Sequence, residues 1–215
     1  MTTDRRITFF HAPNTRSTGV LVLLDELQAD YDLHLLRFAT GEQRSADFLD
    51  INPMGKVPAI RHGDAVVTEQ AAVYMYVAEL YPEKGLSPPP GDPRRGAYLR
   101  WMVFYGSCVE PAVTDKALAR PVMEHSRSPY GDYDEVMWTI ERHLTQNPGP
   151  WWLGESFTAA DALWGNALHF LTQFKMVPAS PAIAAYVERF RARDSVKRGH
   201  AHDAELAKSL AASGT

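Results

Sequence analysis

The chain opens with a short apolar run, Ile7-Thr8-Phe9-Phe10, rich in the β-branched and aromatic residues that suit a strand. A polar loop, Ala12-Pro13-Asn14-Thr15-Arg16-Ser17-Thr18, separates it from a leucine-rich stretch over residues 20–27, whose length favours helix over strand. Over residues 31–38 apolar and polar positions alternate, Leu33 and Leu35 against Asp32 and His34, which predicts a second strand. Strand, helix and strand within about 35 residues make a βαβ unit, so the two strands should run parallel with a right-handed crossover. Residues 42–50 predict a short helix ahead of the Asn52-Pro53 break. Residues 57–60 and 65–68 are apolar and flank the polar corner Arg61-His62-Gly63-Asp64, the pattern of a β-hairpin with glycine at the tight position. An apolar helix over residues 69–81 completes the order βαβαββα.

The pattern then changes. Residues 82–93 hold five prolines and two glycines in twelve positions, which cannot continue a helix or join a central strand. Beyond them the periodicity is helical. Residues 94–118 read as a packed helix interrupted near Pro111, and residues 132–146 repeat apolar groups at i, i+3 and i+4 (Tyr133, Val136, Met137, Ile140, Leu144). Thr158-Ala159-Ala160-Asp161 is a capping box opening a helix that is apolar nearly all round, so this should be the buried centre of an all-α domain. Residues 181–193 predict another helix, and the tail from about Gly199 should be exposed. The domain division expected is residues 1–82, a proline-rich linker over 83–93, and a helical domain over 94–215.

Composition narrows the function without naming it. A net charge of −4 leaves no basic stripe for nucleic acid. No apolar run reaches the roughly 20 residues needed to span a bilayer, and the N-terminus shows no signal-peptide pattern. The single cysteine, Cys108, excludes an intrachain disulfide and fits a reducing compartment, and no Cys/His cluster has zinc spacing. A cytosolic protein without a metal is expected.

The chemistry-bearing residues lie around the hairpin. Proline cannot donate to a strand ladder, so Pro58 at the head of a strand needs a reason. A cis Val57-Pro58 bond would turn the backbone amide and carbonyl of Val57 toward a ligand. Glu69 stands at the start of a helix, where its carboxylate takes an ammonium while free N–H groups take a carboxylate. An extended-peptide clamp beside an amino-acid clamp suits a small peptide with a free α-amino acid end. The plainer alternative is an ordinary hairpin followed by a helix with a charge at its N-terminus.

Three motifs together resemble the cytosolic glutathione transferase family: Asn52-Pro53-x-Gly55-Lys56-Val57-Pro58, Glu69 with its helix, and Phe157-Thr158-x-Ala160-Asp161. The resemblance covers almost the whole chain. It implies a thioredoxin-like α/β N-terminal domain and an all-α C-terminal domain. Pro58 resembles the family's cis-proline, and Val57 the residue whose backbone pairs with the cysteinyl part of glutathione. Glu69 resembles the residue contacting the γ-glutamyl group, and Lys56 is placed to reach a carboxylate of the tripeptide. Gln70 stands where the family usually has serine; its N–H can still serve the carboxylate. A homodimer is also implied.

The loop after the first strand is where the family places its catalytic group. A thiolate is the nucleophile, and a hydroxyl, a cation or helix N-terminal N–H groups near the sulfur lower its pKa. The loop has neither Cys nor Tyr. Ser17, Asn14 or Thr15 can donate to the sulfur and Arg16 can supply charge, with Ser17 the first choice and Asn14 next; alternatively Ser17 or Thr15 only caps the helix. Cys108 reads as a buried, inert cysteine. Trp101, Tyr105 and Trp164 either line a pocket for a hydrophobic co-substrate or belong to the core. Among eight histidines only His11 lies close to the loop.

The function expected is a transferase that activates the thiol of glutathione, as co-substrate, for attack on a small hydrophobic electrophile. Glutathione-dependent disulfide or peroxide reduction, isomerisation, and non-catalytic binding on the same scaffold are the alternatives.

Overall fold

A computed structural model describes residues 4–147 and 149–212. It forms two compact units, one made of the chain up to Lys84 together with the segment from Arg193 onward, the other of residues 85–192.

The first unit carries strands β1 (Ile7–His11), β2 (Tyr31–Leu35), β3 (Ala59–His62) and β4 (Ala65–Val67), in the sheet order β2-β1-β3-β4. β1 pairs parallel with β2, as the βαβ reading requires, and antiparallel with β3. Being central, β1 is buried along most of its length, whereas the edge strand β2 alternates half-buried and exposed residues. The β3–β4 turn lies at Gly63-Asp64, with Gly63 at φ +57°. Helices α1 (Thr18–Leu27), α2 (Ala46–Leu49) and α3 (Gln70–Leu80) complete the predicted order. Val20, Leu23, Leu24 and Leu27 of α1 are fully enclosed.

The second unit holds α4 (Arg95–Phe104), α5 (Glu110–Ala117), α6 (Tyr133–Gln146), α7 (Ala159–Gln173) and α8 (Pro181–Ala192). A π-helical turn, Tyr105–Val109, joins α4 to α5. Pro111 lacks the N–H that a regular helix needs four residues after Ser107, and the widened turn accommodates that loss just upstream of the interruption expected at the proline. The proline-rich segment is not a bare spacer. Leu86 and Pro88 are buried, the Leu86 carbonyl accepts from Ala159 N–H at 2.9 Å, and the Pro88 carbonyl accepts from Arg95 Nη1 at 2.7 Å.

α7 is buried almost throughout, as its all-round apolar pattern predicts. Asp161 organises its start. One carboxylate oxygen accepts from Thr158 N–H at 2.8 Å and the Thr158 hydroxyl at 3.0 Å; the other accepts from Trp152 N–H at 2.5 Å and the Tyr186 hydroxyl at 2.9 Å. Burial pushes the Asp161 carboxyl up to about 6, against the pull of these four donors.

The tail differs most from expectation. Most of it is exposed or half-buried, as expected, but it belongs to a nineteen-residue helix that the sequence reading did not give, α9 (Asp194–Ala212), lying on α1. Gly199 permits the approach: a Cβ there would stand 2.9 Å from Val22 Cγ2 and 3.1 Å from the Val22 nitrogen. Arg193 reaches both carboxylate oxygens of Glu26 at 2.8 and 2.9 Å, and Arg198 both of Asp25 at 2.9 and 2.6 Å. The sequence signal was obscured because α9 has many charged residues and only a narrow buried stripe, Ser195, Val196, Gly199 and Asp203. No described helix is long and apolar enough to cross a membrane.

Candidate active site

The predicted clamp residues all belong to the first unit. Asn52 shapes the approach to them: its carboxamide donates to the Lys56 carbonyl at 2.8 Å and its Oδ1 accepts from Met54 N–H at 3.1 Å. The Val57-Pro58 bond is cis. Val57 packs on a cluster of Phe10, Ala12, Leu36, Phe48 and Ala59, while its backbone N–H and C=O meet no hydrogen-bonding partner among the described residues. Pro58 is buried; Lys56 is exposed.

Glu69 is the N-cap of α3 and is exposed. Its backbone sits at φ +65°, ψ 120°, a conformation that side-chain-bearing residues rarely adopt and that concentrates at functional positions. Its side chain makes no capping bond to its own helix. The carboxylate therefore remains available beside the first N–H groups of α3. Gln70 ties this end of α3 to the β1–α1 loop, its Nε2 donating to the Arg16 carbonyl at 3.3 Å.

The loop is a dense polar knot. The Ser17 hydroxyl lies 2.7 Å from His11 Nδ1 and 2.7 Å from Thr15 Oγ1, with the Ala12 N–H at 3.3 Å and the Ala12 carbonyl at 3.2 Å. Thr15 Oγ1 also donates to the Ala12 carbonyl at 2.7 Å and accepts from Ser17 N–H at 3.2 Å. Ser17 stands at the N-cap of α1 without a side-chain capping bond, so its hydroxyl turns inward instead. It is fully buried, its hydroxyl engaged by His11 and Thr15 inside the loop. Thr15 and Arg16 are half-buried. Asn14 is exposed, in the left-handed region at φ +59°.

Two further members of this knot escaped the sequence reading in whole or part. His11 is fully buried, and its Nε2 stands 3.0 Å from Asp203 Oδ1. Asp203, on α9, also accepts from Asn14 N–H at 3.0 Å and from the Thr18 hydroxyl at 2.9 Å. Burial pushes the Asp203 carboxyl up, but His11, Asn14 N–H and the Thr18 hydroxyl outweigh it and hold it below its ordinary value. His11 carried a signal, a histidine ending an apolar strand beside the loop. Asp203 carried none.

The aromatic residues left open between a co-substrate pocket and the core belong to the core of the helical unit. Trp164 stacks on Trp152 at 4.2 Å between centroids, meets Trp101 edge-on at 5.6 Å and Tyr105 at 5.7 Å. With Trp101 and Tyr105 at 2% exposure and Trp164 at 0%, none offers a face to a ligand. Helical spacing put these rings against one another rather than around a void. Open space in this unit, about 360 Å³, lies instead among Lys116, Pro121, Val122, Met123, Tyr130 and Tyr133. Cys108 is half-buried on the π-helical turn, not fully enclosed as expected. His125, Asp132 and Glu135 bring ligand atoms within 4.8 Å of one another, but Asp132 and Glu135 already form the capping box of α6.

A four-stranded mixed sheet with a cis-proline just before its third strand, beside a separate helical unit, defines a thioredoxin-like protein with an all-α second unit. Family models narrow the class: the glutathione S-transferase N-terminal domain matches residues 5–79 and the C-terminal domain matches residues 131–198. A glutathione transferase from Methylococcus capsulatus has 30% identity and a TM-score of 0.75, over 92% of this chain and 98% of that one. A glutathione transferase homologue from Sulfitobacter, solved with bound glutathione, has 29% identity and a TM-score of 0.71, over 91% and 97% of the two chains. Glutathione S-transferase A of Pleuronectes platessa is 28% identical over 188 residues, 83% of each chain. The chain belongs to the glutathione S-transferase family.

Proposed function

We propose that the protein binds glutathione in its first unit and lowers the pKa of the thiol for attack on a small hydrophobic electrophile. The observation that supports this reading is the set of uncommitted recognition groups that the first unit carries. Glu69 holds an uncapped carboxylate at the head of α3, Gln70 links that helix end to the Arg16 carbonyl, and Val57 leaves its backbone groups unpaired beside Pro58. Glu69 takes the ammonium of the γ-glutamyl group, the α3 N–H groups take its carboxylate, Val57 pairs with the cysteinyl backbone, and Lys56 meets a further carboxylate.

Within the loop the reading favours Asn14 over Ser17 as the donor to sulfur. Both hydroxyls, of Ser17 and Thr15, have protein acceptors within 2.7 Å, whereas the exposed Asn14 side chain has no partner among the described residues. Arg16 adds positive charge, and Ser17 positions the loop from below. A homodimer fits the exposed apolar side chains of Leu99 and Val103 on α4, which a second copy would cover. A cytosolic setting fits the lone cysteine.

Calorimetric titration with glutathione, followed by thiol-loss assays on a panel of apolar electrophiles, tests the reading. Binding with conjugation is expected, and Asn14→Ala should lower kcat/KM about tenfold by removing one preorganised donor. Full activity in Asn14→Ala would move the donor role to Thr15, Arg16 or the loop N–H groups. Binding without any thiol consumption would make the protein a glutathione-binding module instead.

A further inference from the structure

We propose that Asp203, on the C-terminal helix, is the positioning residue of the thiol-activating loop, acting through His11 and Ser17 and through the Asn14 backbone. The inference rests on the proposed function and assigns the loop's geometry to a residue 189 positions away from Asn14.

A single carboxylate reaches three points of the loop and its helix. Oδ1 lies 3.0 Å from His11 Nε2 and 2.9 Å from the Thr18 hydroxyl; Oδ2 accepts from Asn14 N–H at 3.0 Å. All of it is enclosed: His11 and Ser17 are fully buried and Asp203 is 4% exposed. A carboxylate facing Nε2 favours the imidazole proton at that nitrogen, which leaves Nδ1 to accept from the Ser17 hydroxyl at 2.7 Å. Ser17 Oγ is then free to accept from Ala12 N–H, while the Thr15 hydroxyl proton goes to the Ala12 carbonyl.

The order carboxylate, imidazole, hydroxyl is that of a nucleophilic triad, but the burial of Ser17 excludes attack on an outside substrate. Its effect is to hold rather than to react. Asn14 is where this matters. Asparagine is among the few side-chain-bearing residues that enter the left-handed region readily, and the Asp203 bond to its N–H fixes Asn14 at φ +59°. Loss of the anchor lets the loop relax, and the donor no longer points at a fixed position.

The test compares Asp203→Asn and His11→Asn with Arg193→Met. The last breaks the pair that Arg193, just before α9, makes with Glu26 of α1. The thiol pKa of bound glutathione is followed by thiolate absorbance against pH, with glutathione affinity measured by calorimetry on the same samples. Asp203→Asn should raise the bound thiol's pKa by about one unit, a roughly tenfold loss of thiolate below that pKa. Affinity should fall less than threefold, because the clamp lies elsewhere. His11→Asn, which keeps the Asn14 contact, should give a smaller shift in the same direction. Arg193→Met should leave the thiol pKa unchanged. An unshifted thiol pKa in Asp203→Asn overturns the inference, and so does an equal shift in Arg193→Met, which would reduce the effect to general helix packing. A wild-type protein that binds no glutathione overturns the proposed function and this inference together, so the two failures are distinct.

Discussion

Two buried aspartates organise the two units, and their chemistry runs in opposite directions. Asp161 is met by two backbone N–H groups and two hydroxyls, all neutral, and its carboxyl is pushed up to about 6. Asp203 is met by an N–H, a hydroxyl and an imidazole, and is held below its ordinary value. Number of donors does not separate them; depth and charge do. Neutral dipoles satisfy a carboxylate's lone pairs without replacing the hydration lost on deep burial, whereas a nearby ring that can carry charge, together with shallower burial, tips the balance. One aspartate therefore serves folding, and the other keeps a charged anchor under a loop.

The largest expected effect that sharpens this contrast is Asp161→Ala. It strands Trp152 N–H, Thr158 N–H and the Tyr186 hydroxyl in the core of the helical unit, and should cost about 4 kcal/mol in chemical denaturation. A loss below about 1 kcal/mol would mean that these groups find other partners.

Acidity gives the next effect. With its folded pKa above its unfolded one, Asp161 keeps a proton in the native state that the unfolded chain has lost, so its contribution to stability is present below about pH 4 and declines as pH rises to about 6. The wild type should lose about 3 kcal/mol across that window relative to Asp161→Asn, at about 1.4 kcal/mol per pH unit. Asp203 has the opposite sign: its contribution is present above the ordinary carboxylate range and disappears only as pH falls through its depressed pKa. Parallel pH–stability curves for Asp161→Asn and Asp203→Asn would break the comparison.

The smallest effect concerns the ligand rather than the fold. Glu69→Gln keeps the shape of the α3 N-terminus and removes the charge facing an ammonium, and should weaken glutathione about tenfold, or 1.4 kcal/mol by calorimetry, with melting temperature unchanged. Unchanged affinity would remove Glu69 from the clamp.

Much of the architecture was legible because it follows from local rules. The period-two run of β2, the apolar length of α1, the glycine at the hairpin turn and the acidic residue three past Thr158 each announce an element within a few residues of where it lies. The proposed clamp drew notice for the same reason, since Val57-Pro58 and Glu69 sit at positions whose chemistry is unusual for their element. The loop was only half legible. Its hydroxyls and amide are visible in sequence, but which of them faces outward depends on His11 and Asp203 pulling Ser17 inward. Contact between residues nearly two hundred positions apart leaves no trace in spacing. The aromatic residues stayed ambiguous in the same way, since the spacing of Trp101, Tyr105 and Trp164 is equally that of a wall and of a core.

The attachment of the loop to α9 also sets a timetable. Asn14 leaves the ribosome early, and Asp203 follows 189 residues later. At about 5–20 residues per second this is on the order of 10–40 s of synthesis. During that interval the sheet and α1 can assemble, yet the carboxylate that completes the loop does not exist. Competence thus arrives last, after nearly all of both units has been made, and a ribosome that stalls within α8 leaves a chain able to build its sheet and unable to finish its site.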